Sequence, residues 1–364
     1  MSGGESSRDD SVKNITNNKE TYELRLGQFN VLNLQKENVT FYHGNRFTPD
    51  QVVEKVNWIG GQLKKMKACI VGFEEVFDHN TLLRATRASG LYKDSEVYTA
   101  NANGHSPTVG LASKFPVLNT QSIIDFPKSA LMEYNHIQIP ITKFSRPVLR
   151  ASIQLPYHIT ATVFVVHSKS KKPMVPKEHR HEQKSKSMGS ALSLLVRTAE
   201  AVALRHIIID ELETNKNCPL ILLGDLNDDV HSVTTEIISG TQPWKSLPTK
   251  MKNAIWETLL WSTSEIQVRT MSRDVQYSHI HNGRYDVLDH IMVSGHFVRS
   301  NPKYIGAVQY VQMFNDHLVD ETLLDESPPE IESDHGQVVT AVKLFSERCT
   351  KKSKKATEEE DSDD

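Results

Sequence analysis

Residues 219–229 read PLILLGDLNDD: apolar side chains suited to a buried strand, then Gly224, then Asp225, Asn227, Asp228 and Asp229. Such polar residues are poor strand formers and costly to bury without partners. Turn chemistry is one account, because Gly-Asp and Asn-Asp commonly follow a strand. The other is a strand end that holds acidic groups over an active site. The remaining strands decide between the two.

They repeat the pattern. YELRLGQFNVLN presents Asn30 and Asn33, ACIVGFEEV is apolar until Glu74 and Glu75, and TATVFVVHSKS ends in His167. VLDHIMVS carries Asp289 inside an apolar run, and ESDHGQVV opens with Asp334 and His335. One such residue is ordinarily a satisfied turn or cap. Six strand ends of this kind are hard to explain by stability, since clustered carboxylates repel unless a cation or shared protons intervene. Carboxylate and amide oxygens are hard ligands that favour Mg²⁺ or Mn²⁺ over zinc. Such a cation, a carboxylate acting on water and a histidine held by a second carboxylate suit hydrolysis of a phosphate ester.

Organisation along the chain supports a layered α/β core. Strand-like runs fall at 22–32, 68–76, 108–113, 147–155, 159–167, 219–224, 285–293 and 336–345. TPDQVVEKVNWIGGQLKKM reads as a helix with Thr48 as cap, Pro49 in the first turn and Val52, Val56, Ile59, Leu63 and Met66 on one face. Residues 190–212 form a longer amphipathic candidate. The 364-residue chain divides into a disordered segment 1–20, a single catalytic domain 21–346, and a disordered tail 347–364 that is basic, then acidic. With a net charge of -3, charge distribution matters more than its sum. Cys69, Cys218 and Cys349 are too scattered for a cysteine zinc cluster and suit a reducing compartment. Without a secretory apolar core near its start or an apolar stretch of membrane-spanning length, the chain reads as intracellular, cytoplasmic or nuclear.

The ordered set FNVLN, FEEV, VVHSKS, GDLND, VLDHIMVS and SDHGQV resembles the endonuclease/exonuclease/phosphatase superfamily, the deoxyribonuclease I-like proteins. The resemblance implies a four-layer sandwich of two mixed, largely antiparallel β-sheets flanked by helices, with the site at one edge where the sheets meet. It implies Glu75 as principal metal ligand, with Asn30 beside it and Asp334 assisting, and Mg²⁺ or Mn²⁺ as the ion. Asp225 matches the residue that aligns or activates water, and Asn227 the amide that orients it. His335 matches the phosphate-contacting histidine, Asp289 its carboxylate partner and His167 the second histidine. Arg146 in FSRPVLR matches an arginine directed toward phosphate. By strand alternation Glu74 is read as the outward neighbour of Glu75. Asp228 and Asp229 are read as caps of the following helix, and His279, His281 and His290 as surface or packing residues.

The substrate reading rests on residues 168–187, SKSKKPMVPKEHRHEQKSKS, with seven Lys and Arg against two Glu. Tethered to the His167 strand end, this cationic lip, with Lys169, Lys171 and Lys172 nearest, attracts polyanions through salt-sensitive contacts. GDLNDD, RTAEAVALR and YSHIHNGRYDVLDHIMVS, with Asn282-Gly283 as a hairpin turn, are most similar to the bacterial extracellular-nuclease branch. The resemblance departs at Phe77, where related nucleases often carry a basic residue. The expectation is a Mg²⁺-dependent nuclease of low sequence specificity with nucleic acid as substrate. The alternatives are a phosphatase or phosphodiesterase for a phosphoinositide, phospholipid or nucleotide, and a non-catalytic binding module.

Overall fold

Strands that are apolar on both sides must be covered on both sides. In Thr21–Leu34 (β1), Leu24 and Leu26 enter one buried cluster, whereas Phe29 and Val31 enter another. The computed structural model describes residues 20–244, 246–268, 276–281, 284–301, 303–319 and 331–346. Apart from Glu20, the segments expected to be disordered lie outside the described residues, as do Asn282 and Gly283.

One six-stranded sheet runs β15 (Gly306–Phe314), β16 (Gln337–Phe345), β1, β2 (Ile70–Val76), β4 (Thr108–Ser113) and β3 (Val97–Thr99). The other runs β11 (Leu260–Ser262), β14 (Asp289–Ser294), β10 (Leu220–Asp225), β9 (Ile159–His167), β8 (Lys143–Leu155) and β5 (Val117–Asp125). Two hairpins stand apart, β6–β7 (Glu133–Tyr134 and Ile137–Gln138) and β12–β13 (His279–His281 and Arg284–Asp286). Each sheet contains one parallel pair, β1 with β2 and β9 with β10, and its other pairings are antiparallel. These are the two mixed, largely antiparallel sheets the resemblance implies.

Leu26, Val163, Val165, Ile221, Leu223 and Val342 pack between the sheets. Helices α1 (Pro49–Met66) and α2 (His79–Ser89) cover the first sheet, with Val56, Ile59 and Leu63 against Phe29 and Phe73. The long α3 (Gln183–Thr214) covers the second, with Leu204, Ile208 and Leu212 against Phe164, Leu220 and Leu222. Thr48 caps α1 through a full capping box with Gln51, as its sequence predicts. The remaining α-helices among the described residues are α4 (Val233–Ser239), α5 (Thr249–Thr258) and α6 (Thr263–Val268).

The structure departs from the sequence reading at 285–293, which divides into β13 and β14, so the hairpin strand is not part of the sheet. β5 and β15 are absent from that reading because their partly exposed sequences lack a long apolar run. The sheets approach closely at Gly72, where an added Cβ would lie 2.9 Å from Leu223 Cβ and 3.0 Å from Val165 Cγ1. Gly72→Val is therefore expected to lower stability by about 1–3 kcal/mol in urea unfolding. An unchanged midpoint would show that the sheets yield at this point.

Candidate active site

The two parallel pairs deliver their C-terminal ends to one edge of the sandwich. In the second sheet, Asp225 lies in register with His167 on one side and Asp289 on the other. In the first, Gln28 and Asn30 extend β1 beyond its leucines toward the same space, beside Glu74 and Glu75 at the end of β2. His335 enters just before β16 and forms an isolated antiparallel bridge with His279.

Hydrogen bonds join these side chains across the sheets. His335 Nδ1 lies 2.8 Å from Asp289 Oδ2, and Gln28 Nε2 donates to Asp289 Oδ1 at 2.6 Å and to Glu74 Oε2 at 2.8 Å. Asn30 Nδ2 donates to Asp225 Oδ2 at 3.1 Å, while its Oδ1 accepts from Leu32 N. Asp225 Oδ1 accepts from Asn227 N at 2.8 Å, and Asn227 Nδ2 donates to Ser168 O. His167 Nε2 lies 3.4 Å and His335 Nε2 3.9 Å from Asp225 Oδ2. Ser333 Oγ donates to Asn30 O and accepts from His335 N, which locks the Asp-His loop onto β1.

Glu75 and Asn227 adopt left-handed backbone, at φ 62° and 54°. Asn227 tolerates this conformation in the bend after β10, but for Glu75 it is strained, and it takes that side chain out of the alternation of β2. Glu75 Oε2 accepts from Asn33 N at 3.1 Å. Arg146 Nη1 donates to Ser168 O at 3.1 Å.

Burial and mutual repulsion shape the charge states. Burial opposes protonation of His335, but the charge and hydrogen bond of Asp289 prevail and hold its pKa well above the ordinary histidine value. Burial raises Asp225 to about 7, with Asp289 adding to the rise and His335 opposing it. Burial, then Asp289 and Asp225, push Glu74 well above the carboxylate range. His167 is driven well below the ordinary value by burial and by Arg146. Burial raises Glu75 and the charge of Asp334 raises it further, against the pull of Arg146.

Several sequence readings change. Glu74 does not face outward: it is fully buried between the sheets, because the even positions of β2 point inward and Glu75 leaves the alternation. His279 belongs to the site, with its Nε2 3.9 Å from Asp334 and its ring centroid 4.7 Å from that of His335. Its own sequence neighbours gave no signal of this, because the contact is made by the hairpin against the distant His335. Gln28 gave no signal, since a lone amide in an alternating strand reads as a solvated position. Ser232, not an aspartate, caps α4. Asp228 instead accepts from Arg197 Nε at 3.2 Å and Thr234 Oγ1 at 2.7 Å and pairs with Lys171 at 3.1 Å. Lys171 is thus partly neutralised, while half-buried Lys169 donates to Ser170 and exposed Lys172 lies on the outer loop. His290 is a packing residue, with Nε2 2.8 Å from Asp228 O.

Among the described residues, two groups bring possible ligand atoms within 4.8 Å of one another: Asp225, Asp289 and His335, and His279, Asp334 and His335. Both contain His335, whose protonated ring repels a cation and whose Nδ1 is already engaged. Glu75, raised by burial and by the charge of Asp334, lies with Asp334 outside that hydrogen-bonded pair, and these two carboxylates fit a hard divalent cation better.

The endonuclease/exonuclease/phosphatase family model matches residues 27–335. No curated protein matches the chain. Among solved structures it is similar to an endonuclease/exonuclease/phosphatase family protein from Bacteroides thetaiotaomicron, at 14% identity over 90% of this chain and 96% of that one, with a TM-score of 0.53. It is also similar to truncated TDP2 of Caenorhabditis elegans, at 14% identity over 89% and 98%, with a TM-score of 0.51. A mannosyl-6-phosphatase of Bacteroides thetaiotaomicron shows 15% identity over 88% and 99%, with a TM-score of 0.51. At these identities the structures establish the fold alone, and the family model establishes membership. The chain belongs to the endonuclease/exonuclease/phosphatase family of phosphoric-ester hydrolases.

Proposed function

We propose that the chain is a divalent-metal-dependent phosphodiesterase acting on polynucleotides with low sequence specificity. The observation that carries the hydrolytic reading is the buried array in which a cationic His335, held by Asp289, lies 3.9 Å from an Asp225 oxygen whose pKa is near neutrality. A carboxylate tuned toward the working pH is suited to accept a proton from water.

In this reading Asn30 and the Asn227 amide fix the Asp225 carboxylate, which orients the attacking water and takes its proton as the water oxygen bonds to phosphorus; the ester P–O bond breaks with its electron pair on the leaving oxygen, which takes a proton from solvent. His335, kept protonated by Asp289, donates to a non-bridging phosphoryl oxygen. Neutral His167 and the Asn227 side chain position the phosphate, and Arg146, anchored on Ser168, contacts it from the second sheet. Glu75 and Asp334, with the remaining Asn30 oxygen lone pair, would hold the ion. Bound Mg²⁺ or Mn²⁺ would stabilise charge building on the phosphoryl oxygens.

The polynucleotide preference rests on the seven Lys and Arg of residues 168–187 beside the His167 strand end. A phospholipid or phosphoinositide headgroup is the second reading, favoured by exposed apolar side chains at the start of α3.

Supercoiled plasmid, single-stranded DNA, RNA, phosphoinositides and phospholipids, each with Mg²⁺, Mn²⁺ or chelator, separate the substrates. Asp225→Ala and His335→Ala are expected to remain folded and lose about 10²–10⁴-fold in turnover on whichever is cleaved. Retained activity in either would overturn the mechanism; cleavage of lipids alone would overturn the polynucleotide reading. Mg²⁺ at about a hundredfold over its Kd is expected to stabilise the wild type by about 2.7 kcal/mol in thermal unfolding. Glu75→Gln should abolish that shift, and an equal shift in the variant would place the ion elsewhere.

A further inference from the structure

The first four turns of α3 are inside out. Gly189, Ser193 and Arg197, at i, i+4 and i+8, face the protein and clasp the basic loop. Gly189 O accepts from Met174 N at 3.0 Å, Ser193 Oγ donates to Lys172 O at 2.6 Å, and Arg197 Nη1 donates to Lys169 O at 3.3 Å. A side chain at Gly189 would meet Val175 Cγ2 at 2.5 Å, so this contact admits only glycine. The opposite face carries Met188, Leu192 and Leu195 at i, i+4 and i+7, with Leu194 beside them, and it is open to solvent. Met188 is 64% and Leu194 49% exposed, and Met174 on the clasped loop is 45% exposed. Farther along, the same helix is conventional: Leu204, Ile208 and Leu212 are buried.

An amphipathic helix normally turns such a face inward, and a cluster of exposed Met and Leu marks a surface that meets something apolar. Its setting restricts the partner. Residues 187–195, SMGSALSLL, carry no charge, while residues 169–186 immediately before them carry seven Lys and Arg against Glu178 and Glu182. Glu182 is already engaged by His179 and Ser185. A second copy docked about a two-fold axis would bring the cationic segment toward its own equivalent, and like charges would repel. A polynucleotide would use the cations but leave the leucines in water. A lipid surface with anionic headgroups uses both.

We propose that this face is a peripheral docking surface for anionic membrane, with Met188, Leu192 and Leu195 entering the headgroup–acyl boundary while Lys172, Lys177, Arg180, Lys184 and Lys186 meet the headgroups. Docking is peripheral, because no helix among the described residues is long and apolar enough to cross a membrane. The docked loop begins at the His167 strand end, so the active-site edge would lie beside the headgroup layer. The inference is independent of which phosphoric ester is hydrolysed.

The full chain, at two salt concentrations, would be sedimented with vesicles of phosphatidylcholine alone and of phosphatidylcholine with phosphatidylserine. The wild type is expected to bind the mixed vesicles and to bind neutral ones much more weakly. Leu192→Glu with Leu195→Glu should reduce the partition constant about tenfold or more, with circular dichroism and hydrolysis of a soluble substrate unchanged. Lys184→Gln with Lys186→Gln should weaken binding several-fold and flatten its salt dependence. Failure of the wild type to bind mixed vesicles, or equal binding by the leucine variant, would overturn the proposal. So would light scattering that shows a dimer dispersed by the leucine substitutions, which would assign the face to a second copy. Vesicle binding is read without turnover, so loss of the hydrolytic reading would leave this result standing.

Discussion

The pairing of His335 with Asp289 holds the two halves of this molecule to one purpose. One partner lies on β14 of the second sheet, and the other precedes β16 of the first, at an edge where both are buried. Removing two charges from water is expensive, and their attraction compensates only when the remaining lone pairs and protons also have partners. Gln28 supplies one, donating to the second Asp289 oxygen from β1. Ser278 steadies the strand that carries Asp289, because its hydroxyl accepts from the Asp289 backbone N–H and tethers the segment leading into the β12–β13 hairpin to β14. The pair therefore sits at the centre of a set drawn from four separate stretches of chain. It also acts on its neighbours: burial raises Asp225 and Glu74, and Asp289 adds to both rises while His335 opposes them.

Topology explains why the groups meet. A parallel pair places two strand C-termini side by side, which antiparallel neighbours do not. Each sheet has one such pair near its middle, and the sheets are stacked so that both pairs end at the same edge. Gly72 permits the close approach that brings Glu74 and Gln28 within reach of Asp289. Burial lowers both histidines of this edge, and Asp289 is what separates them: its charge and hydrogen bond hold His335 up, whereas His167 has Arg146 nearby and stays low although both border the same carboxylate.

Much of this was legible in the sequence because apolar runs that end in acids and amides are locally unusual. The strand ends at Asn30, Glu75, His167, Asp225, Asp289 and His335 all converge. What escaped was what depends on the third dimension. Glu74 followed the pleat inward because Glu75, at φ 62°, was the residue that broke the alternation. His279 gains its role from the hairpin's contact with His335, and nothing in its own neighbours announces that contact. Asp228 left the cap to Ser232 because Arg197, far along the chain, offered a buried partner. The reversal of α3 was invisible for a related reason. Its apolar spacing is that of an ordinary amphipathic helix, and only the basic loop clasped on Gly189 and Ser193 shows which face turned inward.

In the function proposed above, the site has a proton-bearing half around His335, Asp289 and Asp225 and a metal-holding half around Glu75 and Asp334. Anomalous diffraction from crystals soaked in Mn²⁺ tests that division most directly. The account predicts a single strong peak bridging Glu75 and Asp334, with His335 Nδ1 still bonded to Asp289. A peak coordinated by His335 together with Asp225 and Asp289, or with His279, would contradict it.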